Sequence, residues 1–363
     1  MNLALILLAY VLFTKHCIIK SIDISLCENT VFFTHIQMPI LSTHSLSIGY
    51  SKKGILNTVQ SKLDLKLMSG EMVCLIGPNG TGKSTLLRTL SGLQKPLAGK
   101  IQIDKQDLLK LSHTDKAVLI ALVLTEKIDV DNATVYDIVS FGRHPYSNWW
   151  GNISENDIAL INESIDLVHL SHKKRNFLSE LSDGERQRVM IAKALAQDTP
   201  IIMLDEPTAH LDLPNRVEIM LLLHKLAHTT GKAIVLSTHE LDMALQAADR
   251  IWLMTSDKGI ECGVPEDLVL NGHFNNAFQS KAYVFNSANG NFSMNYPMTR
   301  KVWVTGDKTR MYWTFRALAR AGYMVVPEAE YTININEKSW QFNDKEFLSV
   351  GELLNELDKF ILN

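Results

Sequence analysis

At 363 residues the chain is longer than one typical domain and suits one large domain with a smaller companion. An apolar content of 46%, a charged content of 21% and a net charge of −3 describe an ordinary globular protein. They lack the basic excess of a nucleic-acid binder, so no nucleic-acid partner is expected. Cys17, Cys27, Cys74 and Cys262 show no C-x-x-C spacing, which argues against a cysteine zinc site and a disulfide framework. They read as small buried hydrophobes in a reducing compartment.

The first apolar run, Leu3 to Phe13, is eleven residues long, short of the ~17–25 needed to cross a bilayer. It has no basic residue ahead of it and no small-residue cleavage site behind it, so it does not read as a signal peptide. The expectation is that residues 1–37 form an N-terminal extension outside the functional fold, with translation starting at Met38. The competing reading is a genuine extension with no assigned role.

Pro39 to Tyr50 and Ser61 to Leu67 alternate apolar and polar residues, as half-buried antiparallel strands do. Tyr50 ends the first of them. It is either a core or edge tyrosine or, some thirty residues before a phosphate-binding lysine, a π face for a base. Met72 to Ile76 is a short apolar run of buried-strand type. It leads into Gly77-Pro78-Asn79-Gly80-Thr81-Gly82-Lys83-Ser84-Thr85, and Leu86, Leu87, Leu90 and Leu93 follow at helical spacing. Strand, glycine loop and helix N-terminus in this order make a cradle whose N–H groups point at phosphate oxygens. Lys83 reaches the β and γ oxygens, and the Ser84 hydroxyl can ligate Mg²⁺. Gly99 to Asp104 reads as a strand leaving a glycine turn, and Ala117 to Leu124 as a continuously apolar, central strand.

Further on, Leu181-Ser182-Asp183-Gly184-Glu185-Arg186-Gln187 opens a helix with Val189, Ile191, Ala192 and Leu195 on its apolar face. Ser182 is a natural N-cap with Glu185 three places later, a capping box that also leaves a glycine N–H at an anion-attracting helix end. Pro200 to Glu206 is a buried strand ending in two carboxylates, which are costly there unless polar or cationic groups meet them. Asp205 suits Mg²⁺, and Glu206 suits a base polarising a water in line with a γ-phosphate. A third apolar strand, Ala233 to Leu236, ends in Ser237-Thr238-His239 at the same sheet edge.

Taken together, the glycine loop, the Leu181–Gln187 signature, Leu204-Asp205-Glu206-Pro207-Thr208, Ala209-His210-Leu211-Asp212 and Thr238-His239 resemble the motif set of ABC-type ATPase domains in order and spacing over about residues 40–280. The resemblance implies an α/β fold: a P-loop NTPase of ABC type with a RecA-like core, an antiparallel β subdomain and a helical signature subdomain, spanning residues 38–280. It implies ATP and Mg²⁺ as cofactors. It further implies a head-to-tail homodimer in which ATP lies between one subunit's P-loop and the other's Ser182 and Gly184. Tyr50 matches the adenine-stacking aromatic, Asp212 the loop crossing the dimer interface, Glu206 the hydrolytic base, and His239 the switch histidine that holds the γ-phosphate and water. Two places depart from the pattern. The signature reads Ser-Asp-Gly-Glu where the family usually has Ser-Gly-Gly-Gln. The loop that usually carries a Mg²⁺-linked glutamine reads Leu124-Thr125-Glu126-Lys127, so either Thr125 or Glu126 stands in that place, with Glu126 able to offer an oxygen ligand.

The sequence contains no run of eighteen or more apolar residues, so the pore must be another chain and the ATPase is expected as a peripheral protein on the cytoplasmic face of the cell membrane. Phe141-Gly142-Arg143-His144-Pro145-Tyr146, after Thr134 to Val139, resembles the Gly-Arg-x-Pro stretch of ATPases that serve importers of the iron–siderophore, haem and cobalamin type. Locally the same stretch is a helix stopped by proline, with Tyr146, Trp149 and Trp150 as an exposed aromatic turn of the kind that marks a contact surface. The resemblance thus implies an importer ATPase with an integral membrane permease and, indirectly, a substrate-binding protein. The alternatives are an exporter ATPase or a non-transport ABC ATPase.

From Phe285 to Asn295 the composition loosens into Asn, Ser and Gly, and residues 281–298 read as a linker. Residues 299–363 then read as a small accessory α/β domain. Its expected elements are a strand at Lys301–Thr305, a helix at Lys308–Ala321, a strand at Tyr323–Val326, a hairpin of Tyr331–Ile335 with Trp340–Phe342, and a closing helix from Val350 to Ile361. The Gly306-Asp307-Lys308 turn lies where open α/β sheets bind ligands. The domain serves either a structural or dimer-contact role or a regulatory ligand.

Overall fold

The computed structural model describes residues 38–52, 55–125, 130, 132–147, 153–256, 259–280 and 282–361. The expected extension 1–37, Cys17, Cys27, Glu126, Lys127, Trp149 and Trp150 lie outside the described residues.

Strands β1 (Leu41–Lys52) and β2 (Ile55–Leu63) pair antiparallel, and the two-residue β3 (Lys66–Leu67) returns to β1. The chain then enters β4 (Met72–Ile76) and α1 (Lys83–Leu90), before β5 (Ala98–Ile103) and β6 (Gln106–Asp107) complete an antiparallel sheet ordered β2-β1-β5-β6. Helix α2 (His113–Leu119) leads into β7 (Ile120–Val123). A helical stretch follows: α3 (Val135–Ser140), α4 (Glu155–Leu167) and α5 (Asp183–Ala196). The chain returns through β8 (Ile201–Asp205), α6 (Leu213–Thr230), β9 (Ala233–Ser237), α7 (Leu241–Ala247), β10 (Arg250–Met254) and β11 (Ile260–Gly263). These close a sheet ordered β11-β10-β4-β9-β8-β7, parallel except for β11.

The apolar runs of β4, β8 and β9 are continuous because both faces of this sheet are covered. Met72, Cys74 and Ile76 face a core shared with Ile202, Leu204, Ile234, Leu236 and the helices α3 to α6. Val73 and Leu75 face a second core, with Leu86, Leu87 and Leu90 of α1 and Leu41 and Ile101 of the antiparallel sheet. One strand therefore ties two cores together, and the loop that leaves it is anchored from both sides.

Ala117 to Leu124 differs from the central strand expected of it. The Ser112–Asp115 capping box starts α2, which takes the first three residues, and the strand that remains lies at the sheet's edge. It is nonetheless buried, because α5 covers that edge and Gln197 donates to the carbonyls of Ala117 (2.6 Å) and Ile120 (3.0 Å). Among the cysteines, Cys74 is buried as expected, and desolvation there pushes its thiol pKa up. Cys262 is exposed on the edge strand β11 instead.

Gly142 and Arg143 explain part of the importer-like stretch structurally. A Cβ on Gly142 would stand 2.4 Å from the Lys193 carbonyl, so the chain there presses directly on α5. The buried Arg143 donates from Nε to Asp157 Oδ1 on α4 (2.7 Å) and from Nη1 to the Ala196 carbonyl at the end of α5 (2.8 Å). Its guanidinium also lies 4.0 Å over the Tyr146 ring. Residues Phe141–Tyr146 form a 3-10 helix containing Pro145, with Phe141 and Tyr146 exposed.

Beyond α8 (Pro265–Leu270) and α9 (His273–Ala277), the segment read as a linker contains the hairpin β12 (Tyr283–Asn286) and β13 (Asn291–Met294). Its polar residues hide an aromatic cluster. Phe285 is buried in the helical-side core, with its ring 5.2 Å from Phe274 and 5.1 Å from Phe292. The C-terminal residues follow as β14 (Arg300–Gly306), α10 (Lys308–Arg320), β15 (Tyr323–Val325), β16 (Thr332–Ile335), β17 (Trp340–Phe342), β18 (Lys345–Phe347) and α11 (Val350–Ile361). Their sheet is ordered β15-β14-β16-β17-β18 and has its own core of Val302, Val304, Leu318, Ile333, Phe342 and Leu353. Strand β18 is not expected from the sequence pattern, since Lys345-Glu346-Phe347 puts two charged residues before its one apolar residue. The Asn343-Asp344 pair before it, both left-handed, is the signal for its tight turn.

Replacing Arg143 by Met should lower stability by about 2–3 kcal/mol, below the range for breaking a buried pair because Ser154 still bonds Asp157. A fall in the chemical denaturation midpoint checks this, and an unchanged midpoint contradicts it.

Candidate functional site

The glycines of the loop after β4 are there for close approach. A Cβ on Gly77 would lie 2.6 Å from the Met254 carbonyl oxygen, and one on Gly82 would lie 2.3 Å from Val59 Cγ1. Gly82 also needs φ +100 to cap α1, a left-handed backbone that side chains disfavour. Thr81 Oγ1 donates to the Pro78 carbonyl at 2.8 Å and closes the loop on itself. Gln60 Nε2 donates to the carbonyls of Thr81 and Thr255, both at 3.1 Å, tying the loop to the antiparallel sheet.

Lys83 is buried with its Nζ on the carbonyls of Gly77 (2.9 Å) and Pro78 (3.3 Å). Burial lowers its pKa, and the nearby charges of Glu206 and Asp205 oppose that shift. Ser84 Oγ donates to Asp205 Oδ1 at 3.0 Å, and Ser237 Oγ donates to the same oxygen at 2.6 Å. The Glu206 amide donates to Ser237 Oγ (2.9 Å), while Glu206 Oε1 lies 2.6 Å from His239 Nε2. Glu206 itself sits at φ 51, a strained conformation of the sort that gathers at functional sites. The structure thus brings Lys83, Ser84, Asp205, Glu206 and His239 together at the ends of β4, β8 and β9. It adds Ser237, which the sequence reading quoted as a strand end without giving it a task.

Tyr50 lies beyond a slip in strand register between Ile48 and Gly49, and its side is exposed, unlike the buried Leu46 and Ile48. Its hydroxyl is 2.6 Å from Thr85 Oγ1, which holds the ring beside the start of α1. Thr125 Oγ1 donates to the Asp205 backbone carbonyl (2.9 Å), whereas Glu126, the metal candidate, lies outside the described residues.

Ser182, Gly184 and Asp212 form a second group on other elements. Ser182 caps α5 in a reciprocal box with Glu185, whose carboxyl is held below its usual range by Lys173 (2.6 Å) and by Ser182. A Cβ on Gly184 would stand 2.6 Å from Asn215 Oδ1, so Asn215 would have to move to admit a side chain there. Asn215 Nδ2 in turn donates to Asp212 Oδ1 (2.6 Å), and Asp212 caps α6. Gly184 of the signature therefore packs against Asn215, a residue that sequence spacing did not single out and that is bonded to Asp212.

The donor set fits the groups expected here. Glycines at 77 and 82 let the loop pack tightly against Met254 and Val59, and Lys83 satisfies its charge on carbonyls that phosphate oxygens can replace. Ser84 Oγ and Asp205 Oδ1, 3.0 Å apart, are oxygen donors of the kind Mg²⁺ takes and would hold it there.

Residues 60–209 match the ABC transporter family. An ABC transporter ATP-binding protein from Methanocaldococcus jannaschii is 38% identical over 263 residues, covering 72% of this chain and 89% of that protein. The chain belongs to the ABC transporter ATP-binding proteins. Residues 299–358 match a second family, the iron ABC transporter C-terminal domain. The iron(3+)-hydroxamate import ATP-binding protein of Bacillus subtilis is 35% identical over 207 residues, which is 57% of this chain and 76% of that protein. A solved inward-facing ABC transporter described as of the metal-chelate type overlays with a TM-score of 0.57 at 28% identity, covering 66% of this chain and 89% of the other. This ABC protein is therefore an ATP-binding, transport-coupled ATPase. Among its described residues no helix is long and apolar enough to cross a membrane.

Ser237→Ala removes a donor from Asp205 and the acceptor of the Glu206 amide at once. Its ATPase rate should fall roughly 10- to 100-fold, the usual loss when a supporting partner of a reactive group is removed, with nucleotide affinity nearly kept. Steady-state turnover and nucleotide titration, run side by side, check the split.

Proposed function

We propose that the chain energises uptake of an iron complex, of siderophore or haem type, or of cobalamin, as one of two identical ATPase subunits beneath a separate membrane permease. The observation that carries the catalytic part is the hydrogen-bonded run from Ser84 through Asp205 and Ser237 to Glu206 and His239. The match of residues 299–358 to the iron transporter C-terminal domain and the likeness to a hydroxamate import protein support the cargo class. A substrate-binding protein outside the permease completes the importer, and the ATPase works on the cytoplasmic face.

In this reading Lys83 Nζ exchanges its two loop carbonyls for β and γ oxygens of ATP, while the N–H groups of the Gly77–Thr85 loop surround the phosphates. Tyr50 presents its exposed ring to the adenine. Ser84 and Asp205, with Glu126 added, would hold Mg²⁺, which would supply positive charge against the phosphates. Glu206 accepts a hydrogen bond from the attacking water and takes up its proton, and His239, bonded to Glu206 Oε1, orients both. Ser182 and Gly184 of a second copy close over the γ-phosphate from the other side, at the N-terminus of their α5. Asp212, fixed by Asn215, lies in the same seam. ATP closes the pair and hydrolysis reopens it, which moves and then resets the permease. Phe141 and Tyr146, exposed beside the Arg143 anchor, are the contact to that permease.

Glu206→Gln should cut turnover roughly 10²- to 10⁴-fold, as loss of a general base does, while ATP still binds and traps a dimer visible by size exclusion. Lys83→Ala should weaken ATP binding at least about tenfold, or ~1.4 kcal/mol. Normal turnover in either variant, or a Glu206→Gln protein that stays monomeric in ATP, would contradict the assignment. Cargo is tested by co-expressing the permease and measuring ATP-dependent uptake of a ferric hydroxamate, haem and cobalamin into vesicles; transport of none of them counts against the cargo class.

A further inference from the structure

Three electron-pair donors converge on the surface far from the nucleotide loop. His224 and His228 are one turn apart on α6, so their rings stand on one face of it, with centroids 4.4 Å apart. Their Nε2 atoms are 3.2 Å apart, and Asp249 Oδ1, from the junction between α7 and β10, lies 3.1 Å from His228 and 3.7 Å from His224. We propose that His224, His228 and Asp249 bind a divalent transition-metal ion of the Zn²⁺ class, through the two Nε2 atoms and Oδ1.

A tetrahedral ion with bonds of about 2.0–2.1 Å spaces its ligand atoms about 3.3–3.4 Å apart. The three observed edges bracket that spacing. Hydrogen atoms serve the same geometry poorly. A proton on His228 must be shared between the carboxylate and the other ring, and a second one on His224 has its nearest carboxylate oxygen at 3.7 Å. A cation in the centre engages all three lone pairs.

Asp249 is set in place for this task. Its Oδ2 accepts the Met72 amide (2.7 Å) and its own amide donates to the Met72 carbonyl (3.0 Å), which leaves Oδ1 free to turn toward the histidines. The neighbouring Arg250 is paired with Glu71 at 3.5 Å, so its charge is partly offset. His228 lies in the last turn of α6, where the helix carbonyls favour positive charge. The histidine side chains are partly exposed, so a fourth position opens to water. Two imidazoles and one carboxylate suit Zn²⁺, Ni²⁺ or Cu²⁺, whereas Mg²⁺ and Ca²⁺ prefer oxygen shells. The β4 strand separates this site from the nucleotide loop by about 17 Å, so the two ions do not compete.

The test uses the full chain without a histidine tag, titrated calorimetrically with Zn²⁺ alone and, separately, with Mg²⁺ alone. The expected result is one Zn²⁺ equivalent bound and no heat of Mg²⁺ binding that the double histidine variant removes. The exposed-residue variants His224→Ala and His228→Ala should each weaken it roughly 10- to 100-fold. Thermal unfolding of the metal-free variants verifies that they fold. Lys83→Ala should bind Zn²⁺ like the wild type, which keeps this site's fate separate from that of the nucleotide site. Unchanged Zn²⁺ binding in the double histidine variant overturns the proposal. So does absence of Zn²⁺ binding to the folded wild type.

Discussion

A carboxylate buried at the end of an apolar strand has to be met by donors, and the way Asp205 is met organises this protein's nucleotide site. Its Oδ1 takes hydrogen bonds from Ser84, at the start of the P-loop helix, and from Ser237, at the end of the adjacent strand. Ser237 then accepts the amide of Glu206, and Glu206 reaches His239. Two strand ends and the start of α1 are held together by one charge that would otherwise be costly to bury. The same contacts bring Ser84, Asp205, Ser237, Glu206 and His239 into one hydrogen-bonded run.

The rigidity behind that run comes from β4. Its residues alternate between two cores, one filled by helices and one shared with the antiparallel sheet, so that neither layer can shift without moving the loop that follows. Glycines at positions 77 and 82 then let neighbouring chain approach where any side chain would collide. At the strand end Glu206 is left-handed, at φ 51. The signature serine, by contrast, caps α5 in a reciprocal box with Glu185, while Asn215 beside Gly184 is bonded to Asp212.

The Zn²⁺-class site and the C-terminal domain show how much of the surface is unused by ATP chemistry. Asp249 holds the first residue of β4 with one oxygen and faces two histidines with the other, at the opposite end of the strand from the phosphates. The C-terminal sheet carries its own core and is joined to the ATPase through a hairpin whose phenylalanines are anchored in the helical-side core.

Local pattern by itself determined the P-loop, the capped signature helix, the carboxylate pair at the end of β8 and most of the C-terminal elements. Each is written in residues within a turn or two of one another, where periodicity and capping chemistry operate. Tertiary structure decided what depends on distant partners. Whether the apolar run before Thr125 is central or at an edge depends on Gln197 and α5 covering it. Whether an Asn- and Ser-rich stretch is linker or hairpin depends on where Phe285 and Phe292 find other rings. The task of Ser237, the tie through Asn215 and the meeting of His224 and His228 with Asp249 likewise arise between residues remote in the chain. Burial and long-range hydrogen bonding are properties of the packed molecule, and no short window of sequence contains them.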